Sequence, residues 1–228
     1  MNTAEILYTA SVWVVPVLLA ITLHEAAHGF VALRFGDDTA LRAGRVTLNP
    51  FRHVDGFGTI LLPALLLLVR SPILFGYAKP VPVNFANLRT PKRDMIWVAV
   101  AGPGMNLLLA LFSALGFHLV PLFPEGGQGW LSDNLENSIF INLVLAVFNM
   151  LPLPPLDGGR VVMGLLPYGL AVHFAKLERW GMPLLLGLLF ILPMLGTLIG
   201  VNLNVFTWLV RVPAEAVFRM ILTLAGLN

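Results

Sequence analysis

Cysteine is absent from the 228-residue chain, which excludes disulfides and thiolate metal ligands. Any metal site must therefore be built from His, Asp or Glu. Charge is also scarce. Only 11% of the residues are Asp, Glu, Lys or Arg and 57% are hydrophobic, whereas an average soluble domain carries about 25% charged residues. With a mean hydropathy of +0.84, this composition excludes an ordinary soluble domain and implies several membrane helices. No basic stripe is interleaved with exposed aromatics, so nucleic acid is not an expected partner. The first five residues contain no Lys or Arg. Without a basic n-region, the apolar segment that follows reads as a retained membrane helix rather than a cleaved signal peptide. The 17 prolines and 21 glycines do not argue against helices, because both are more frequent in membrane helices than in soluble ones.

The first long apolar run, residues 6–33, holds His24-Glu25-Ala26-Ala27-His28. Residues four apart share a helix face, so both imidazoles can reach one ion with Glu25 beside them. His-Glu-x-x-His suits zinc: two neutral imidazoles bind the ion, and the Glu acts as general base toward water that the metal activates. Three ionisable groups inside a membrane-length segment each cost about 2.5–3.5 kcal/mol at mid-bilayer. A bound metal explains them better than a self-satisfied polar patch.

Arg34, Arg42, Arg45 and Arg52 follow this segment, and no basic residue precedes it. The positive-inside rule then places the N-terminus outside and the motif near the cytoplasmic face. Between residues 45 and 49, polar Arg45, Thr47 and Asn49 alternate with Val46 and Leu48, which predicts a short strand or half of a hairpin. The apolar run 57–69 is shorter than the roughly 20 residues needed to span. It reads as a re-entrant or interfacial element over 57–76 with both ends on the cytoplasmic side, since Lys79, Arg89, Lys92 and Arg93 follow it. Residues 94–120 should span. The acidic loop 121–136 should lie outside, and 139–151 should return. An interfacial helix is expected over 161–175 and a further span over 183–200. Residues 203–227 could span or lie in the interface. The expectation is an all-α polytopic protein of about four to six membrane helices, with the strand and the re-entrant element on the cytoplasmic side.

A catalytic zinc takes three protein ligands and keeps a fourth position open. Five histidines are present. His118 falls near the outer end of its helix, and His53 and His173 sit in flanking segments where an interfacial histidine is the simpler explanation. Asp157 is the stronger candidate. Pro152, Pro154 and Pro155 prevent a regular helix before it, and irregular backbone at membrane depth is tolerated where it lines a cavity. An ordinary helix-stop turn at Asp157-Gly158-Gly159 competes with that reading.

Three motifs then occur in order: His24-Glu25-Ala26-Ala27-His28, Ala101-Gly102-Pro103-Gly104-Met105-Asn106, and Asn149-Met150-Leu151-Pro152-Leu153-Pro154-Pro155-Leu156-Asp157-Gly158. Together they resemble the site-2 protease family of intramembrane zinc metalloproteases, over roughly the first 160 residues. Gly76-Tyr77-Ala78-Lys79-Pro80-Val81-Pro82-Val83-Asn84 also resembles a segment of compact prokaryotic members. The resemblance implies one Zn²⁺ per chain held by His24, His28 and Asp157, with Glu25 as catalytic base. It also implies that Asn106 and Asn149 lie near the site, where an amide could orient a ligand, position substrate or stabilise an oxyanion; interhelical adhesion beside Gly102 and Gly104 is the competing reading. No PDZ or CBS domain is expected, and the chain reads as one integral-membrane domain, 1–228, with a core at about 5–160 and C-terminal helices at 161–228. The implied activity is hydrolysis of peptide bonds in transmembrane segments of membrane-anchored proteins. The implied partners are those substrates and the bilayer of the cell membrane, with self-association left open. Two other readings use the same cluster: a membrane metal-binding or transport protein, and an inactive substrate-holding relative. Transport needs a polar path from both faces, and the outer half of the first segment offers little beyond Thr9 and Ser11. Intact Glu25 argues against the inactive form.

Overall fold

The computed structural model describes residues 2–61, 65 and 79–227. Every regular element among them is helical. Helix α1 (Thr3–Arg34) begins with a capping box. Asn2 Oδ1 accepts from the Glu5 N–H at 2.8 Å and Glu5 Oε2 accepts from the Asn2 N–H at 3.0 Å, satisfying two N–H groups at the helix start. Pro16 lies inside the helix without ending it. A one-turn helix α2 (Thr39–Arg42) follows. Then come α3 (Pro91–Gly116), extended by a 3₁₀ segment Phe117–Leu122, and α4 (Glu125–Asn149). Shorter helices complete the chain: α5 (Asp157–Leu165), α6 (Tyr168–Ala175), α7 (Glu178–Leu186), α8 (Leu192–Leu198) and α9 (Val212–Ala225). Among the described residues three stretches are long and apolar enough to cross a membrane: Thr3–Arg34, Pro91–Leu122 and Glu178–Leu198, with mean hydropathies of 2.1, 1.8 and 2.0 over an 18-residue window of each.

Helix α3 is the hub, packing against α1, α4 and α5. Small residues allow this close approach: Ala110 and Ala114 are fully buried against Ile139 and Leu143 of α4 and Ile221 of α9. The first turn of α5 lies on the loop before it. A Cβ at Gly158 would strike the Met150 and Leu151 carbonyl oxygens, and one at Gly159 would come within 2.5 Å of Pro154 N. Asp157 therefore heads a helix seated directly on the Pro-rich segment.

Several expectations change. Residues 45–49 form no strand, and no strand occurs among the described residues. The alternating polar groups are satisfied locally instead. Thr47 Oγ1 accepts from the Asn49 N–H, Asn49 Oδ1 accepts from the Phe51 N–H, and Arg45 donates to the Arg52 carbonyl. Such side-chain bonds compete with ladder pairing. The acidic loop expected over 121–136 is mostly helix, because no proline falls between Glu125 and Asn149 to stop α4. Pro167 divides the expected 161–175 helix into α5 and α6. Most of the re-entrant element expected over 57–76 lies outside the described residues.

Asp37, fully buried after α1, joins this corner together. Its Oδ1 accepts from Thr39 N–H, Thr39 O–H and Asn87 Nδ2–H at 3.1, 2.5 and 3.0 Å, and its Oδ2 from Asn84 N–H at 2.7 Å. Burial pushes the carboxyl pKa up, but the bonds from Thr39, Asn84 and Asn87 outweigh it and hold the group below its ordinary value. The stabilisation is therefore present above the unfolded value of about 4 and is lost as pH falls through the lowered folded value. Asp37→Ala should destabilise the protein by about 1–3 kcal/mol. It should also show a shallower loss of thermal stability between about pH 5 and pH 3. Identical acid limbs in wild type and variant would refute the assignment.

Candidate metal centre

His24 and His28 lie one turn apart on α1, and both are buried. His28 Nδ1 is 2.7 Å from the Val98 carbonyl of α3. A backbone carbonyl only accepts, so Nδ1 carries the hydrogen and Nε2 a free electron pair. His24 Nδ1 is 2.5 Å from Asn106 Oδ1. The orientation of that amide follows from its other side: Asn106 Nδ2 faces the Ala20 carbonyl at 3.2 Å, which can only accept. His24 therefore presents its Nε2 electron pair in the same way.

The two Nε2 atoms are 3.1 Å apart, and Asp157 Oδ2 lies 3.3 Å from one and 3.4 Å from the other. Three electron-pair donors thus converge in a buried place. Oδ2 of Asp157 is itself buried without a hydrogen-bond partner. Such a grouping is repulsive unless a cation sits among the three atoms. Tetrahedral zinc with N and O ligands at about 2.0–2.2 Å separates its ligand atoms by about 3.3–3.6 Å, so the donor set and spacing come close to those of a zinc ion with a fourth position open. Among the described residues these three form the His/Asp/Glu group able to hold a metal.

Gly102 of α3 forms the floor. A Cβ there would lie 2.6 Å from His24 Cε1 and Nε2, and would also strike His28 Nε2. The Ala101–Asn106 motif therefore supplies two parts: a residue with no side chain under the imidazoles, and one turn later an amide that orients His24. Glu25 stands apart from the three donors. It is partly buried, and its Oε2 accepts from the Val81 N–H at 2.7 Å. In Pro80-Val81-Pro82 only Val81 has an N–H, so that donor is committed to Glu25.

The two asparagines named from sequence differ in place. Asn106 is fully buried, and both its amide hydrogens are engaged, one by Ala20 O and one by Asn142 Oδ1 at 2.7 Å. Neither is left for a substrate. Asn149, partly exposed at the end of α4, donates one amide hydrogen to the Leu145 carbonyl at 3.0 Å, and the other meets no acceptor among the described residues. The remaining histidines lie elsewhere: His53 Nε2 meets Thr47 O, His118 Nε2 meets Ala225 O, and His173 Nδ1 meets Gly169 O. Sequence reasoning missed Asn142, Gly102 and the Val81 N–H. For Asn142 a signal existed, since an amide within an apolar run needs a partner.

A family model described as peptidase family M50 matches residues 127–192. "Putative zinc metalloprotease YwhC" of Bacillus subtilis (strain 168) is 43% identical over 188 residues, covering 79% of this chain and 80% of that protein. Rip2 of Mycobacterium tuberculosis (strain ATCC 25618 / H37Rv) is 32% identical over 69% of this chain, and Rip2 of Mycolicibacterium smegmatis is 29% identical over 72%. The chain spans 59% and 61% of those two longer proteins. No solved structure matches.

Proposed function

This chain belongs to peptidase family M50, the site-2 protease family, and is a zinc metalloprotease; from that premise we propose that it hydrolyses peptide bonds within transmembrane segments of membrane-anchored proteins. The observation that carries the reading is the meeting of His24 Nε2, His28 Nε2 and Asp157 Oδ2 inside a helix bundle of membrane-spanning length. These three would hold the one zinc. When bound, zinc supplies a Lewis acid for the scissile carbonyl and acidifies water. Glu25 takes the proton of the attacking water and returns it to the leaving amine nitrogen. Its bond to Val81 N–H fixes which way the carboxylate points. Asn106 holds the His24 ring, while Asn149, with an amide hydrogen to offer, is the residue that meets the substrate carbonyl.

The site lies toward the C-terminal end of α1, on the side of the basic residues Arg34, Arg42, Arg52, Arg89, Lys92 and Arg93, so it faces the cytoplasm of a cell-membrane protein. Helix α4, 25 residues long with Asn134 and Asn142 turned inward, adds a crossing to the three apolar stretches. The number of crossings is then about four to six, in one domain over 1–228. A transmembrane substrate must unwind before attack, because helical carbonyls are hydrogen-bonded and shielded. The irregular segment 150–156 beside Asp157 is the protein backbone such a segment would approach.

The test is zinc content and affinity of the detergent-purified chain. Wild type should hold one zinc, and Asp157→Ala should bind at least about 100-fold more weakly, since loss of a direct ligand exceeds the 10–100-fold cost of an outer partner. Equal zinc content and affinity in the two proteins would remove the ligand assignment.

A further inference from the structure

We propose that Asn142 of α4 is a positioning residue of the metal centre, acting through Asn106 to hold the ring of His24. This rests on the reading of His24 as a zinc ligand. Asn142 is 1% exposed in the interior of α4, and its hydrogen bonds go to Asn106 and Ser138 rather than to the three donor atoms. Its Oδ1 accepts from Asn106 Nδ2 at 2.7 Å, and its own Nδ2 donates to Ser138 O at 2.8 Å. Ser138 Oγ in turn accepts from Ser113 Oγ at 2.7 Å, back on α3. A directed chain of hydrogen bonds thus runs Ser138–Asn142–Asn106–His24 across three helices.

The direction matters. Ser138 O is a backbone carbonyl and only accepts, so the Asn142 amide must turn its nitrogen toward it and its oxygen toward Asn106. That oxygen, together with Ala20 O, requires the nitrogen of Asn106 on the same side. Asn106 Oδ1 is then the atom left facing His24 Nδ1, and a carbonyl oxygen there admits only the Nδ1–H tautomer, with the Nε2 electron pair free for a metal. Remove Asn142, and Asn106 keeps one constraint on its amide instead of two. A flipped Asn106 would point N–H at His24 Nδ1, favouring the tautomer whose Nε2 carries hydrogen and cannot bind a cation. Partners of metal-ligating imidazoles fix tautomer and orientation in this way, and their loss costs about 10–100-fold in metal affinity.

The competing role is helix adhesion alone, in which Asn142 joins α3 to α4 and has no bearing on the metal. A double-mutant cycle separates the two. Zinc affinity is measured by chelator competition on the full chain in detergent for wild type, N142L, N106L and N142L/N106L, alongside thermal stability without metal. Positioning predicts that N142L weakens zinc roughly tenfold, that N106L weakens it at least as much, and that the double variant is no weaker than N106L. The visible spectrum of the Co²⁺-loaded N142L protein should also shift, because the ligand field changes when the His24 ring turns. N142D in its protonated form, with one carboxyl oxygen accepting from Asn106 and the O–H donating to Ser138 O, should bind within about threefold of wild type, below the loss an outer partner brings. If N142L does not yield folded protein, N142A is measured in its place.

Wild-type zinc affinity and an unchanged Co²⁺ spectrum in N142L, with only a lower melting temperature, would overturn the proposal. So would losses that multiply in the double variant. Failure of the function reading looks different: wild type would hold no zinc, or would hold it as tightly after Asp157→Ala.

Discussion

Glu25→Gln is expected to keep one zinc per chain and to lower turnover of a transmembrane peptide by about 10²–10⁴-fold, the usual contribution of a general base. The structure makes this variant informative because it separates the two things Glu25 does. One is to accept the Val81 N–H at 2.7 Å, which an amide oxygen of the same size also does. The other is to take a proton, which an amide cannot. The surrounding structure should therefore persist, including the Val81 contact and the His24, His28 and Asp157 grouping, while hydrolysis falls. Zinc content, melting temperature and cleavage of a detergent-solubilised substrate, read on the same preparation, decide the matter. Wild-type turnover in Glu25→Gln would exclude Glu25 as the base.

Gly102→Ala should weaken metal binding strongly, although it adds only a methyl group. The added Cβ would lie 2.6 Å from two atoms of the His24 ring and collide with His28 Nε2. Neither ring can retreat freely: Asn106 Oδ1 holds His24 Nδ1 and Val98 O holds His28 Nδ1. Either the α1–α3 packing opens or the rings swing out of register, and both separate the donor atoms. A fall in zinc affinity of about 100-fold is expected, at the upper end of what changes around a metal site bring. Gly104→Ala is the internal control. It lies on the same helix, and a Cβ there meets nothing within 4 Å among the described residues. That substitution should leave zinc untouched and stabilise α3 by about 0.5–1 kcal/mol, because Gly in a helix interior is unfavourable relative to Ala. Equal zinc affinities in the two alanine variants would show that the floor of the site is not where the structure has it.

The parts of this protein that were legible in its sequence are those governed by short-range periodicity and by solvent. A membrane-length apolar run dictates α1, because its backbone groups can be satisfied only internally. The four-residue spacing of His24 and His28 places both rings on one face of that helix, and their Nε2 atoms do lie 3.1 Å apart. Asp157 is the stronger candidate for a third ligand because the proline-broken backbone before it can line a cavity, and its Oδ2 lies against both imidazoles. Alternation misled at residues 45–49, since a strand is defined by a neighbour, and Thr47 and Asn49 satisfy the local N–H groups instead.

Tertiary structure alone decided what the asparagines do. Asn106 and Asn149 look equivalent as amides in apolar segments. Yet Asn106 has both amide hydrogens engaged and faces a ring 82 residues away in sequence, while Asn149 has one hydrogen without an acceptor among the described residues. The same holds for Gly102, whose lack of a side chain matters only because α1 crosses α3 at the histidines. Val81, likewise, meets Glu25 from 56 residues away. Residue chemistry determined which groups could bind a metal or move a proton. The packing of α1, α3, α4 and α5 determined which of them meet, because hydrogen-bond partners far apart in sequence are chosen by helix crossings that no local pattern records.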